Sequence, residues 1–128
     1  MFFQPYLDPD FGLFILRLVV GIIFIYHGWP KVMKAGKFSQ GMGLSAGSVW
    51  AVGVVEFLGG ISLIVGVLPQ LFSLLLAIIM VGATYKKMST WRVPFSSQGT
   101  TGWEFDLMIL AACLAIFFTG GGYMPGWF

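Results

Sequence analysis

Apolar residues in this chain gather into four long runs separated by short polar breaks. The first goes from Phe11 to about Trp29, interrupted by Arg17 and His27, and closes at Pro30 and Lys31 as a helix leaving a membrane would. At 1.5 Å per residue its roughly 20 residues match a hydrocarbon core of about 30 Å. The second runs from about Val49 to Leu68 with Glu56 as its one charge, and stops at Pro69, where a helix cannot continue. The third covers about Leu71 to Tyr85, and the fourth Trp103 to about Thr119 ahead of Gly120, Gly121 and Gly122. Both are short, and they span the core when their aromatic ends reach the interface. The pattern predicts an all-α membrane protein. The expected architecture is a four-transmembrane-helix bundle forming one domain over residues 1–128, with helices at about 11–29, 49–68, 71–85 and 103–119.

Charge decides the orientation. Lys31, Lys34 and Lys37 fall in the first loop and Lys86, Lys87 and Arg92 in the third, so six of the seven basic residues lie on one side. The positive-inside rule puts those loops in the cytoplasm and both termini on the extracytoplasmic side, with Pro69 and Gln70 as a tight external hairpin. Trp29, Trp50, Trp91, Trp103 and Trp127 lie near helix ends or in loops, as an interfacial belt requires. The stretch from about Trp91 to Trp103 reads as an interfacial cytoplasmic loop.

Composition places the whole chain in the bilayer: 58% of residues are hydrophobic and 9% charged, and the mean hydropathy is +0.90. The expected location is the inner (cytoplasmic) membrane. The N-terminus carries Asp8 and Asp10 in place of a basic region, so a removable signal peptide is not expected. A net charge of +2 without a basic stripe gives no support for nucleic acid. Cys113 is the one cysteine, which excludes an intrachain disulfide and a Cys-x-x-Cys redox pair.

Arg17 and Glu56 are the candidate chemistry. A charge at membrane depth costs roughly 2.5–3.5 kcal/mol on insertion scales, and it persists where a partner, a wet cavity or a function keeps it. Opposite signs on neighbouring spans suggest that the two pair. On the first helix Arg17, Gly21, Phe24, Gly28 and Lys31 line one stripe, and on the second Gly53, Glu56, Gly60 and Leu63 line another. Gly21, Gly28, Gly53 and Gly60 are therefore expected to let helices approach closely beside the carboxylate. Two readings stand side by side. The pair is an internal staple that fixes helix register, or it frames a polar pocket joined by His27 and Lys31 that takes a quinone head group or relays a proton.

His27 is the one histidine, so bis-histidine haem ligation and a zinc site have no ligand set, and no metal is expected. Its alternative role is a helix-end residue bonded to backbone or lipid head group. Gly41, Gly43 and Gly47 do not have the spacing or βαβ setting of a nucleotide fingerprint. Thr101 and Glu104 have capping-box spacing at the start of the fourth helix, with Asp106 also in the first turn.

In order and spacing these residues resemble the DoxX family of small four-helix membrane proteins. The shared elements are Arg17-x-x-x-Gly21, then Tyr26-His27-Gly28 and Lys31, then Glu56 before Gly59-Gly60 and Gly66, then Trp103-Glu104 and Thr119-Gly120. The resemblance covers Phe11 to Tyr123. It implies a link to membrane oxidoreductase systems, among them thiosulfate:quinone oxidoreductase and the membrane partners of thiol- and superoxide-handling enzymes. The leading expectation is an accessory, non-catalytic membrane subunit of a redox complex, anchoring a partner that carries the metal, flavin or reactive thiols. The alternatives are a quinone-reactive oxidoreductase subunit with Arg17, Glu56 and His27 around the head group, and a structural or assembly subunit of a larger membrane complex. No cofactor is expected in the chain itself, and the one that the pocket is expected to accommodate, if any, is a quinone. The expected partners are the lipid bilayer and a protein of a membrane redox complex. Transport is disfavoured because internal repeats with broken helices are not evident.

Overall fold

The computed structural model describes residues 8–96, 98, 99 and 101–122; Trp127, Tyr123 and the two chain ends whose side of the membrane was expected lie outside them. Five α-helices follow one another: α1 (Pro9–Met33), α2 (Ala35–Met42), α3 (Ala46–Val65), α4 (Pro69–Tyr85) and α5 (Trp103–Thr119). A π-helical turn over Lys86–Thr90 prolongs α4. α1, α3 and α4 with its extension are each long and apolar enough to cross a membrane.

Each boundary has a local cause. The Asp8 carboxylate accepts from the backbone N–H groups of Asp10 at 3.0 Å and Phe11 at 3.3 Å, capping α1 ahead of Pro9. At the other end α1 passes through Pro30 and stops one turn later than the apolar pattern predicts, at Met33. Pro30 gives up one backbone bond there, and Lys34 N–H closes the last turn on the Pro30 carbonyl at 2.7 Å. Ser45 caps α3 by accepting from Ser48 N–H at 3.1 Å, and Gly66 ends it in the left-handed conformation at φ 82°. Pro69 opens α4 at a position where its missing N–H costs nothing.

α2 lies in the loop between the first two apolar runs. It buries no side chain and ends at Gly43, again left-handed at φ 71°. Its short polar sequence has no long apolar run to reveal it.

α1 packs most extensively on α3, and α4 on α5, so the bundle is built from two helix pairs. The α1–α3 contact is backbone on backbone. A β-carbon built on Gly21 would fall 2.6 Å from the Gly60 carbonyl oxygen, and one on Gly60 would fall 2.5 Å from that of Gly21. One on Gly28 would meet the Gly53 carbonyl oxygen at 2.8 Å, and one on Gly53 the Lys31 β-carbon at 2.7 Å. A larger residue at any of the four must push the helices apart. Between the two pairs lies a core of Val20, Phe24, Leu63, Leu76, Met80, Ile109, Cys113 and Ile116. Ile15, Ile22, Leu58, Ile78, Met108 and Phe118 cover the outside, an apolar surface suited to lipid.

Gly60→Ala is expected to destabilise the bundle by about 1–3 kcal/mol through overpacking, whereas Gly47→Ala, with open space around it, leaves the thermal midpoint unchanged or slightly raised. Thermal unfolding in detergent measures both; equal midpoints would mean that the α1–α3 contact tolerates separation.

Candidate functional site

Lys31 reaches the bundle interior because α1 runs through Pro30 and because Gly53 leaves room for the base of its side chain. Its Nζ lies 2.5 Å from Glu56 Oε1, and Glu56 is only 3% exposed. Glu56 stands one turn beyond Gly53 on α3, so the close helix contact and the ion pair are consecutive features of one face. Desolvating a carboxylate costs several kcal/mol, and a charged hydrogen bond at this distance offsets much of it.

The other helix pair holds a second ion pair. Lys87, in the π-helical extension of α4, places Nζ 2.6 Å from Asp106 Oδ2, and Asp106 is 5% exposed. A π turn re-aims a side chain relative to a regular helix, and such turns recur at functional sites. The ammonium also donates to the Thr101 hydroxyl at 2.8 Å and the Thr101 carbonyl at 3.2 Å. Its contact with Asp106 is an ion pair without an aligned hydrogen bond, so Oδ2 keeps acceptor capacity.

Thr101 is therefore bonded to Lys87, where the sequence pattern expects a capping box with Glu104. Gly102 is the capping residue of α5, and no side chain caps that end. Backbone does the work instead. Trp103 N–H donates to the Pro94 carbonyl at 3.3 Å and Glu104 N–H to the Phe95 carbonyl at 3.0 Å. That loop lies so close to Gly102 that a β-carbon there would collide with the Phe95 carbonyl. With these donors satisfied, the Glu104 side chain is free to face outward.

Both ion pairs and His27 line one cavity of about 180 Å³, at the end of the bundle where α1 stops and α5 starts. Phe24, Met80 and Ile109 form its apolar floor. The His27 ring lies 5.4 Å from the Tyr26 ring, edge-on, and 6.0 Å from that of Phe105. So His27, Lys31 and Glu56 are brought together, with Lys87, Asp106 and Thr101 added from the other helix pair.

Arg17 is not among them, and the Arg17–Glu56 pairing expected from sequence is not formed. Gly28 packs on the Glu56 β-carbon, which sets Glu56 roughly 16 Å along α1 from Arg17 at 1.5 Å per residue. Counting inward from helix ends misses this because α3 starts beyond the end of α1, in a register that the glycine contacts decide. Arg17 is buried near the opposite end, its Cδ against Gly121 and its guanidinium 5.7 Å from the centre of the Phe14 ring. Among the described residues its Nε and Nη2 have no hydrogen-bond partner.

Lys87 and Asp106 were not singled out from sequence as site residues. A signal existed for Asp106: it begins the stripe Asp106, Ile109, Cys113, Ile116, all buried, so its carboxylate shares the inward face of α5. Lys87 had none, because the turn that aims it inward departs from the regular helical period.

These elements define a small multi-pass helical membrane protein with a polar cavity at one end. The chain belongs to the DoxX family, whose model matches residues 12–87. It is similar to a protein of Bacillus subtilis (strain 168) named "Putative oxidoreductase CatD", at 25% identity over 118 residues, which make up 90% of this chain and 84% of that protein. No solved structure matches the chain. His27, Lys31, Glu56 and Lys87 fall inside the family segment, while Asp106, Trp103-Glu104 and Thr119-Gly120 lie beyond it.

In double-mutant cycles read by thermal unfolding, Lys31→Met and Glu56→Gln should couple by roughly 1–3 kcal/mol, and Arg17→Met and Glu56→Gln by less than about 0.5 kcal/mol. The opposite ranking would restore Arg17 as the partner of Glu56.

Proposed function

We propose that this protein is a membrane subunit of a redox complex, and that its cavity receives the head group of a quinone while a partner protein carries the electron-donating or electron-accepting group. The observation that carries the reading is the convergence of Lys31, Glu56, Lys87, Asp106 and His27, from both helix pairs, on one cavity of the bundle. Ionisable groups inside a membrane protein mark substrate or proton pathways by default. A cavity of about 150 Å³ admits a benzene ring, so 180 Å³ suits a single substituted ring. The ammonium groups donate to the carbonyl oxygens of the oxidised ring. The carboxylates accept from the hydroxyls of the reduced one, and Asp106 Oδ2 has capacity to do so.

Quinone reduction takes two electrons and two protons. The electrons come from the partner's cofactor, since the chain has one cysteine and one histidine and no flavin or metal set of its own. The protons enter through the lysine, carboxylate and histidine groups of the cavity. Membership of the DoxX family and the name of the Bacillus relative support a redox setting.

The same reading takes α5 as a fourth span. Its 17 residues rise about 25 Å, and its start is held near Lys87 while the glycines after its end pack on Arg17 and Asp10. The lysine-rich cavity end then faces the cytoplasm, the termini lie outside, and the membrane is the inner one.

Ser39→Cys should react with a membrane-impermeant maleimide only after cells are permeabilised, and Gln70→Cys without permeabilisation. The buried native Cys113 gives little background. The reverse labelling would invert the topology. Lys31→Met should weaken binding of a tail-less benzoquinone to the purified protein in nanodiscs by about tenfold, the loss of one charged hydrogen bond, and Glu56→Gln should weaken binding of the matching hydroquinone in the same direction. Unchanged binding in folded variants would remove the head group from this cavity. Mild detergent extraction with mass spectrometry tests the partner, which should co-purify at a fixed ratio.

A further inference from the structure

The cavity shares one wall with the outside of the bundle. Phe105 lines the polar cavity and also lines a shallow groove of about 560 Å³ on the outer face of α5, bounded by Phe95, Leu107, Met108 and Ala111. The helix period explains the double role. Glu104, Leu107, Met108 and Ala111 recur at spacings that form one outward stripe, while Asp106, Ile109 and Cys113 form the inward one. Phe105 falls on the shoulder between the two, half-buried, with its ring 6.0 Å from that of His27.

The groove is apolar and exposed: Met108 is 72% exposed, Leu107 43% and Phe95 49%. Glu104 is the one charged residue lining it, and it stands in the first turn of α5, at the cavity end of the bundle. The Phe95 ring is fixed by an edge-on stack with Trp103 at 4.5 Å, so that wall of the groove is a packed aromatic pair. On a helix that spans the bilayer this groove opens onto the hydrocarbon, one side chain away from a cavity lined by two ion pairs.

We propose that the ligand is amphiphilic: its ring occupies the cavity, its hydrocarbon tail lies in the groove along Leu107, Met108 and Ala111, and it enters sideways from the bilayer past Phe105. This rests on the head-group reading given above and extends it to a tailed, lipid-soluble quinone in place of a water-soluble ring. Phe105 lines both groove and cavity, and that adjacency commits the groove to the tail of the molecule whose head is in the cavity.

The experiment compares two probes in one set of nanodiscs: a benzoquinone with a ten-carbon alkyl tail and the same ring without it. Ala111→Phe fills the groove without making it polar, and it should raise the Kd of the tailed probe about tenfold, the cost of overpacking a groove that the tail occupies. The tail-less ring should bind variant and wild type alike. Because both proteins are measured in the same bilayer, partition of the tail into lipid cancels. Equal Kd values of the tailed probe for variant and wild type would overturn the tail groove while leaving the head-group site standing. Failure of both probes to bind wild type would overturn both. In a second measurement, a diazirine at the tail's end should label residues between Leu107 and Ala111 on irradiation, and labelling of α1 or α3 alone would send the tail elsewhere. Phe105→Ala should speed association of the tailed probe several-fold, and an unchanged rate would remove Phe105 as the point of entry.

Discussion

Backbone contact between α1 and α3 is the constraint from which the rest of the molecule follows. Four glycines let the two helices approach until carbonyl oxygens stand where β-carbons would otherwise be. In lipid the hydrophobic effect does not drive helices together, so close van der Waals contact of this kind is a main source of association. The contact also fixes register. Once Gly21 meets Gly60 and Gly28 meets Gly53, Lys31 must stand over Gly53 and beside Glu56. An ion pair alone would not hold that register, because long side chains adapt; backbone atoms in contact do not.

The second helix pair reaches a comparable end by different means. Here the register is held by a loop whose carbonyls cap α5 and whose closeness demands glycine at 102, and by a π turn that swings Lys87 inward. Each pair thus contributes one lysine and one carboxylate to the cavity, bridged within the pair and not between pairs. Local neutrality follows. A buried ion pair is weak as a source of stability, since desolvation consumes most of the Coulomb gain. Two such pairs line one small cavity.

Much of the fold was legible in the sequence, and the reasons differ by element. The apolar runs and their proline and glycine stops mark α1, α3, α4 and α5 to within a few residues, because hydropathy and helix breakers act locally. The glycine stripes were visible for the same reason: spacing on one helix is a one-dimensional property. Pairing between helices is not. Arg17 and Glu56 looked like partners by sign and depth, yet Lys31 lay closer once the register was set by contacts that involve no charge at all. Thr101 and Glu104 matched a capping box in spacing, but a neighbouring loop had already satisfied the helix end. α2 escaped notice because eight residues of mixed polarity carry no membrane signal.

Arg17 shows the asymmetry that results. At the cavity end every buried charge described has an opposite charge within 2.6 Å. At the other end Arg17 is 1% exposed and faces the Phe14 ring. A cation–π contact contributes on the order of 0.5–2 kcal/mol, less than the several kcal/mol that burying an ion costs. Packing around the stem adds to that contact, and Gly121 is arranged for it: its left-handed backbone, at φ 80°, lays the chain after α5 directly against Arg17 Cδ. The glycines that follow α5 thus close one end of the bundle over an aliphatic arginine stem, while the lysines and carboxylates keep the other end polar. Among the described residues, the cavity lined by both ion pairs lies at the end whose buried charges are paired.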